Sequence, residues 1–152
     1  MTPSPVNRST ESLGAMAAIL GLDDEAVKAV CAEAAEGEIV EAVNFNAPSQ
    51  VVIAGHRAAV ERGAAIAKAK GAKRAVMLPV SAPFHSSLLK PAAARLADYL
   101  RDVPFHAPLI EVVNNVDVAV AVEPVEIRDA LARQACHPVR WVEVMRRIVS
   151  SG

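Results

Sequence analysis

Between Ala15 and Leu78 the apolar residues repeatedly change their period, and that alternation limits what the chain can fold into more than any other feature. Ala15 to Leu20 is a short apolar run closed by Gly21. It reads as a buried strand, with a helix as the competing reading because alanine and methionine favour one. Asp23 and Asp24 stand where an N-cap and first turn belong, with their charge toward the helix N-terminus. Val27, Val30, Cys31 and Ala34 then recur at i, i+3, i+4 and i+7, one apolar stripe, and Gly37 stops the helix. Cys31 on that stripe reads as core packing. From Ile39 to Asn46 the pattern returns to alternation, with Ile39, Val40, Val43 and Phe45 as its large members. Ala47-Pro48-Ser49 makes a turn, and Gln50 to Gly55 is a β-branched strand. His56 to Lys70 is the next helix, with Val60, Gly63, Ala64 and Ala67 on one side. Gly63 costs it about 1 kcal/mol relative to alanine, which predicts close packing on a sheet. Gly71 caps it, and Arg74 to Leu78 is a fourth strand.

The resulting order, β-α-β-β-α-β, predicts an α+β fold of the ferredoxin-like split type, both helices covering one face of a four-stranded antiparallel sheet. The hairpin gathers the amides of Asn44, Asn46 and Gln50 near one end. Amides around a turn serve backbone hydrogen bonding or contact a ligand, and the residues leave both readings open.

Pro79 to Pro91 (PVSAPFHSSLLKP) follows at the passage from strand to helix. Its prolines block regular pairing and stiffen the loop that carries His85. A held imidazole suits a group that moves protons at neutral pH; a surface histidine, or one satisfying a buried carbonyl, is the plainer alternative. A helix is expected from there to about Arg101 with Leu89, Ala92, Ala93, Leu96 and Leu100 as its stripe. Ser86 or Ser87 caps it, and Pro91 lies in or near its first turn. Ile110 to Val113 reads as a strand, Asn114 to Asp117 as a polar loop, and Val125 to Gln134 and Pro138 to Val149 as helices.

Composition excludes several function classes. The net charge is -1 and aromatics make up 3% of the 152 residues, so there is neither a basic footprint nor a set of stacking platforms for nucleic acid. No apolar run approaches the ~20 residues of a membrane span. Residues 1–13 read as a disordered leader, with Arg8 but no signal-peptide core. Two distant cysteines do not make a disulfide framework, which points to a reducing cytoplasm. Scattered histidines give no metal spacing, and no Gly-rich phosphate loop or Gly-x-Ser-x-Gly elbow is present. Cys136 beside His137 invites a thiol nucleophile, but neighbours in sequence rarely face one another, and packing is the preferred reading.

Six ordered motifs carry a family resemblance: Asn44-Phe45-Asn46-Ala47-Pro48 running on to Gln50-Val51-Val52-Ile53-Ala54-Gly55; Lys70 to Arg74; Pro79-Val80-Ser81 with Pro83 and His85; Lys90-Pro91-Ala92; Val113 to Asp117; and Pro138 to Trp141. Together they resemble the bacterial malonyl-CoA:acyl carrier protein transacylases, from about Gly14 to Gly152. The resemblance implies a small ferredoxin-like subdomain, residues 14–79, followed over 80–152 by part of a large α/β-hydrolase-like acyltransferase subdomain, incomplete here, with the active site between the two. It implies acyl transfer in fatty acid biosynthesis: a serine ester takes malonyl from coenzyme A and passes it to the phosphopantetheine thiol of acyl carrier protein, without a cofactor or metal. His85 stands at the position of the histidine that serves as general base and acid. Asn44 matches an active-site asparagine, and Asn46 and Gln50 are substrate-side contacts from the same motif. Phe84 resembles the phenylalanine with which related acyltransferases select malonyl over methylmalonyl, a discrimination of about 1–3 kcal/mol.

The resemblance also sets limits. The family's nucleophile elbow, carboxylate-binding arginine and oxyanion donors belong upstream. Its Gly-Pro-Gly segment, near the carbonyl that orients the histidine, belongs downstream. No serine here fits the elbow; Ser81 matches another position, and Ser86 and Ser87 read as caps. The chain is therefore expected to be inactive by itself. The alternatives are a carrier-protein-binding module without chemistry, or one half of a split enzyme needing the N-terminal half as partner. Leu89, Leu96 and Trp141 are expected to be partly exposed.

Overall fold

Two faces of one sheet divide the first half of the molecule, and the loop bearing His85 is built on the face without helices. The structure, a computed structural model, describes residues 14–152, so the expected leader over 1–13 lies outside the described residues. Strand β1 (Gly14–Leu20) is followed by α1 (Asp24–Ala34), β2 (Val40–Ala47), β3 (Gln50–His56), α2 (Arg57–Ala69) and β4 (Arg74–Met77). The four strands form an antiparallel sheet in the order β2-β3-β1-β4. The strand reading of Ala15 to Leu20 holds over the helical one because these residues alternate. Ala15, Ala17 and Ile19 pack against the helices, while Met16 and Ala18 face the other way.

The helix-side core joins Val27, Val30, Cys31 and Ala34 of α1 and Ala59, Val60 and Ala67 of α2 to Ile19, Val51 and Ile53. A Cβ on Gly63 would stand 2.9 Å from Ile53 Cδ1 and 3.6 Å from Ala34 Cβ, which accounts for glycine inside α2: both helices close on the sheet there. Asp23 caps α1, its carboxylate accepting from the Ala26 N–H at 2.7 Å. At the other end Arg62 of α2 donates to the Ala34 and Ala35 carbonyls at 2.9 and 3.1 Å, satisfying groups that the end of a helix leaves open.

Beyond β4 a 3₁₀ turn (Ser87–Leu89) leads into α3 (Lys90–Leu100). Neither serine caps α3 as expected, since that position falls to Leu89, and the Ser86 hydroxyl donates to the Pro83 carbonyl instead. The expected strand over Ile110 to Val113 is reduced to β5 (Val113–Asn114), paired with β6 (Ala119–Val120); Leu109, Ile110 and Val112 are exposed. Helix α4 (Pro124–Gln134) starts one residue earlier than its pattern implied, on a proline suited to a first turn. Helix α5 (Trp141–Ser151) begins three residues later than expected. The cause is non-local: Val139 donates to the Val43 carbonyl at 2.8 Å and accepts from the Phe45 N–H at 3.0 Å, extending the edge of β2. Trp141 is 46% exposed, and Leu89 and Leu96 are half-buried. Among the described residues no helix is long and apolar enough to cross a membrane.

Candidate active site

His85 has a φ of 63°, the left-handed region, in which histidine occurs more readily than bulkier residues but still under strain. Its ring is tied down from far away in sequence. Nδ1 lies 2.9 Å from the backbone carbonyl of Gln134, at the C-terminal end of α4. A carbonyl only accepts, so Nδ1 carries the hydrogen and, in the neutral ring, Nε2 keeps its lone pair. The sequence names no residue for the orienting carbonyl and places only a nearby Gly-Pro-Gly segment downstream; in the structure Gln134 of this chain supplies a carbonyl to the ring.

Gln134 is itself held. Its side-chain amide donates to the carbonyls of His137 and Pro138 at 3.0 and 3.2 Å. The preceding residue, Arg133, bonds Asp129 at 2.7 Å and both carboxylate oxygens of Asp117 at 2.8 and 2.7 Å. The paired guanidinium holds the Asp117 carboxyl below the usual carboxylate range. Gln134 also borders a groove of about 430 Å³ whose lining includes Val112, Asn115, Ile127 and Leu131.

The register of β2 decides which amides share a face with this loop. Glu41 pairs with Ala54 and Asn44 with Val52, and both partners belong to the cluster on the helix-free side. Directly paired residues share a face. A spacing of three would put Glu41 and Asn44 on opposite faces of a regular strand; the irregularity between Ala42 and Asn44 adds one residue and brings them to the same side. Gln50, two residues from Val52, lies on that side as well, exposed at the hairpin end. Asn46 falls in the second irregularity, between Phe45 and Ala47, and is exposed. Phe84, just before His85, is 46% exposed. The structure thus gives Asn44 and Gln50 a common face, and leaves Asn46 and Phe84 open to solvent.

Sequence reasoning passed over two residues. Gln134 acts through its main chain, so its side-chain type gives no signal. Glu41 accepts from both the backbone N–H and the hydroxyl of Ser87; its pairing with Ala54 puts it on the helix-free face, and a partner 46 residues away leaves no local signal. Cys136 and His137 do approach, Sγ to Nδ1 at 3.4 Å, but Nδ1 is committed to the Arg133 carbonyl at 2.7 Å and cannot accept the thiol proton. Cys31 is buried; burial, and then the Glu41 charge, push its thiol up to about 12.

A mixed α/β chain with a loop histidine locked on a helix-terminal carbonyl falls in with solved acyl carrier protein malonyltransferases. One, from Burkholderia pseudomallei 1710b, is 63% identical with a TM-score of 0.92, over 93% of this chain and 46% of that one. Over the half that it spans, the chain is homologous to the malonyl CoA-acyl carrier protein transacylases. The Escherichia coli K12 transacylase is 54% identical over 142 residues, which are 93% of this chain and 46% of that protein. A type II PKS acyl-carrier protein in complex with its malonyl-transacylase offers a further match, 49% identical with a TM-score of 0.92, over 95% of this chain and 48% of that one. The chain spans about half the length of the curated relatives it matches, and no family model matches it.

Proposed function

We propose that this chain supplies the histidine half of a malonyl-CoA:acyl carrier protein malonyltransferase, with His85 as the proton carrier. The observation that carries the reading is the 2.9 Å contact between His85 Nδ1 and the Gln134 carbonyl, which leaves Nε2 as the basic atom. A serine hydroxyl is a poor nucleophile until a base removes its proton. Nε2 takes that proton as the serine oxygen bonds to the malonyl carbonyl carbon. When the carbon–sulfur bond breaks, the proton goes to the departing coenzyme A thiolate. In the second half-reaction Nε2 takes the proton of the phosphopantetheine thiol and returns it to the serine oxygen as the ester breaks. The sequence contains no Gly-x-Ser-x-Gly, so the serine comes from a second polypeptide segment. Asn44 and Gln50, on the common sheet face, are substrate-side contacts, as is the exposed Asn46, and the exposed Phe84 is the ring that selects the acyl group.

The division into a ferredoxin-like subdomain over 14–79 and part of a large acyltransferase subdomain over 80–152 belongs to this proposal. Its support is the element order and the β2-β3-β1-β4 arrangement. Acyl carrier protein as partner follows from the same reading and from the relatives' names, and a cytoplasmic setting belongs to the same reading.

The experiment mixes this chain with the remaining half of the E. coli relative and follows malonyl transfer from malonyl-CoA to acyl carrier protein. Transfer is expected in the mixture and not from the chain by itself, and His85→Ala should reduce it by about 10²–10⁴-fold, the usual contribution of a positioned acid–base group. Turnover by the chain by itself above its His85→Ala control would refute the requirement for a second segment. Carrier-protein binding with no transfer in any mixture would favour a docking module instead.

A further inference from the structure

On the other side of His85 from Pro83, a second long-range tether holds the loop. The Ser87 N–H donates to Glu41 Oε1 and Oε2 at 3.3 and 3.4 Å, and the Ser87 hydroxyl donates to Oε1. The two residues are 46 apart in sequence. Glu41 is the second residue of β2, paired with Ala54, so its backbone is held by the sheet. His85 lies two residues before the clamped serine in a left-handed conformation, one that persists only where the surroundings over-determine it. Among its surroundings are three hydrogen bonds: the Ser86 hydroxyl on the Pro83 carbonyl at 2.7 Å, the ring on Gln134, and Ser87 on Glu41. Of these hydrogen bonds, the Glu41 clamp is the one that ties the loop to the strand presenting Asn44.

We propose that Glu41 is a positioning residue for the His85 proton carrier, acting through Ser87. The inference rests on the role given to His85 above and deepens it. The bulge in β2 turns the carboxylate and Asn44 to one face, so a single strand sets the histidine loop and the amide in register. No hydrogen bond joins Glu41 to the imidazole. The carboxylate fixes the backbone after His85, and the ring then meets the Gln134 carbonyl with Nδ1. A plain helix cap would do something different. A carboxylate at the start of the 3₁₀ turn that merely stabilised α3 would leave the ring of His85 unchanged when removed.

Long-range proton–nitrogen NMR of the histidine rings separates the two. His56 provides an internal reference of opposite tautomer, because its Nδ1 accepts from the Ile39 N–H at 2.9 Å. In the parent 152-residue chain His85 should show one fixed Nδ1–H tautomer. In Glu41→Ala and in Ser87→Ala its ring nitrogens should move toward tautomer-averaged values while His56 stays put. The Ser87 amide in Glu41→Ala should exchange roughly tenfold faster, the size of one hydrogen bond to a charged acceptor. Glu41→Gln, which keeps an acceptor, should restore part of the locked pattern. The proposal is overturned if His85 is already averaged in the parent, if both variants leave it locked, or if His56 changes in step with it. Should Glu41→Ala not fold, Ser87→Ala decides, since it leaves the sheet untouched. These signals need no catalysis. A locked ring released by the variants, with no malonyl transfer in the reconstituted mixture, would keep the clamp and remove the assigned reaction. An unmoved ring with transfer intact would do the reverse.

Discussion

Gly14→Ala tests how the His85 loop is seated on the sheet. A Cβ at residue 14, at the start of β1, would lie 2.2 Å from Pro83 Cδ, 2.6 Å from Pro83 Cγ and 2.8 Å from the Pro83 backbone nitrogen. Ordinary carbon–carbon contact is about 3.5–4.0 Å, so the proline must retreat by roughly 1.5 Å. A ring closed on its own backbone cannot swing aside as a flexible side chain would; the backbone from Pro83 toward His85 has to move. Overpacking of this kind costs about 1–3 kcal/mol. For a domain near 150 residues that is roughly 2–12 °C in Tm. A displacement of about 1 Å at a catalytic group is also enough to lower a rate by about 10²-fold. The assay is therefore double: a thermal melt, and the tautomer of His85 with malonyl transfer in the reconstituted mixture. Ile53→Val is the control, because Ile53 is fully buried on the helix side; it should cost about 0.5–1.5 kcal/mol and leave His85 alone. If Gly14→Ala melts with the parent and its His85 signals and transfer are unchanged, the loop is not seated on β1 as argued.

Two further outcomes follow from the side-chain environments. Cys31, raised to about 12 by burial and by Glu41, should resist alkylation at pH 8 in the native chain while the half-buried Cys136 reacts. Mass spectrometry locates the adduct, and native-state labelling of Cys31 at the rate of an unfolded control would contradict its burial. Asp117, whose carboxyl is lowered chiefly by its hydrogen bonds to Arg133, contributes stability that is present above the unfolded carboxylate value of about 3.9 and lost as pH falls through the lower folded value. Asp117→Asn should flatten the acid limb of a pH-dependent urea melt below about pH 4. The effect should stay under about 1 kcal/mol because the pair is largely exposed. A steeper acid limb in the variant would reverse the assigned sign.

Much of the architecture was legible along the chain because its causes are local. The Asp23 cap, the stripe of α1 and the alternation of β1 each depend on residues within a turn or two, and each came out as the spacing implied. Gly63 signalled close packing by violating helix propensity, and the Ile53 and Ala34 contacts bear that out. His85 could be singled out because proline and phenylalanine around an imidazole are unusual, and because its motif belongs to a known set. The errors fell where pairing is non-local. Leu109 to Val112 have strand-like residues but exposed side chains, and Pro138 to Arg140 have helix-compatible residues that follow the edge of β2 instead.

Composition and periodicity by themselves determined a mixed α/β chain with two helices on one side of a four-stranded sheet, and they put a lone histidine in a stiff loop. Only the tertiary structure decided what that histidine touches. Its carbonyl partner lies 49 residues downstream and its loop clamp begins 46 residues upstream of Ser87. A main-chain oxygen has no side-chain signature, and one extra residue in β2 turns Glu41 and Asn44 to a shared face. Contacts of that kind are set by how distant segments pack, which the spacing of side chains along a strand or helix does not encode.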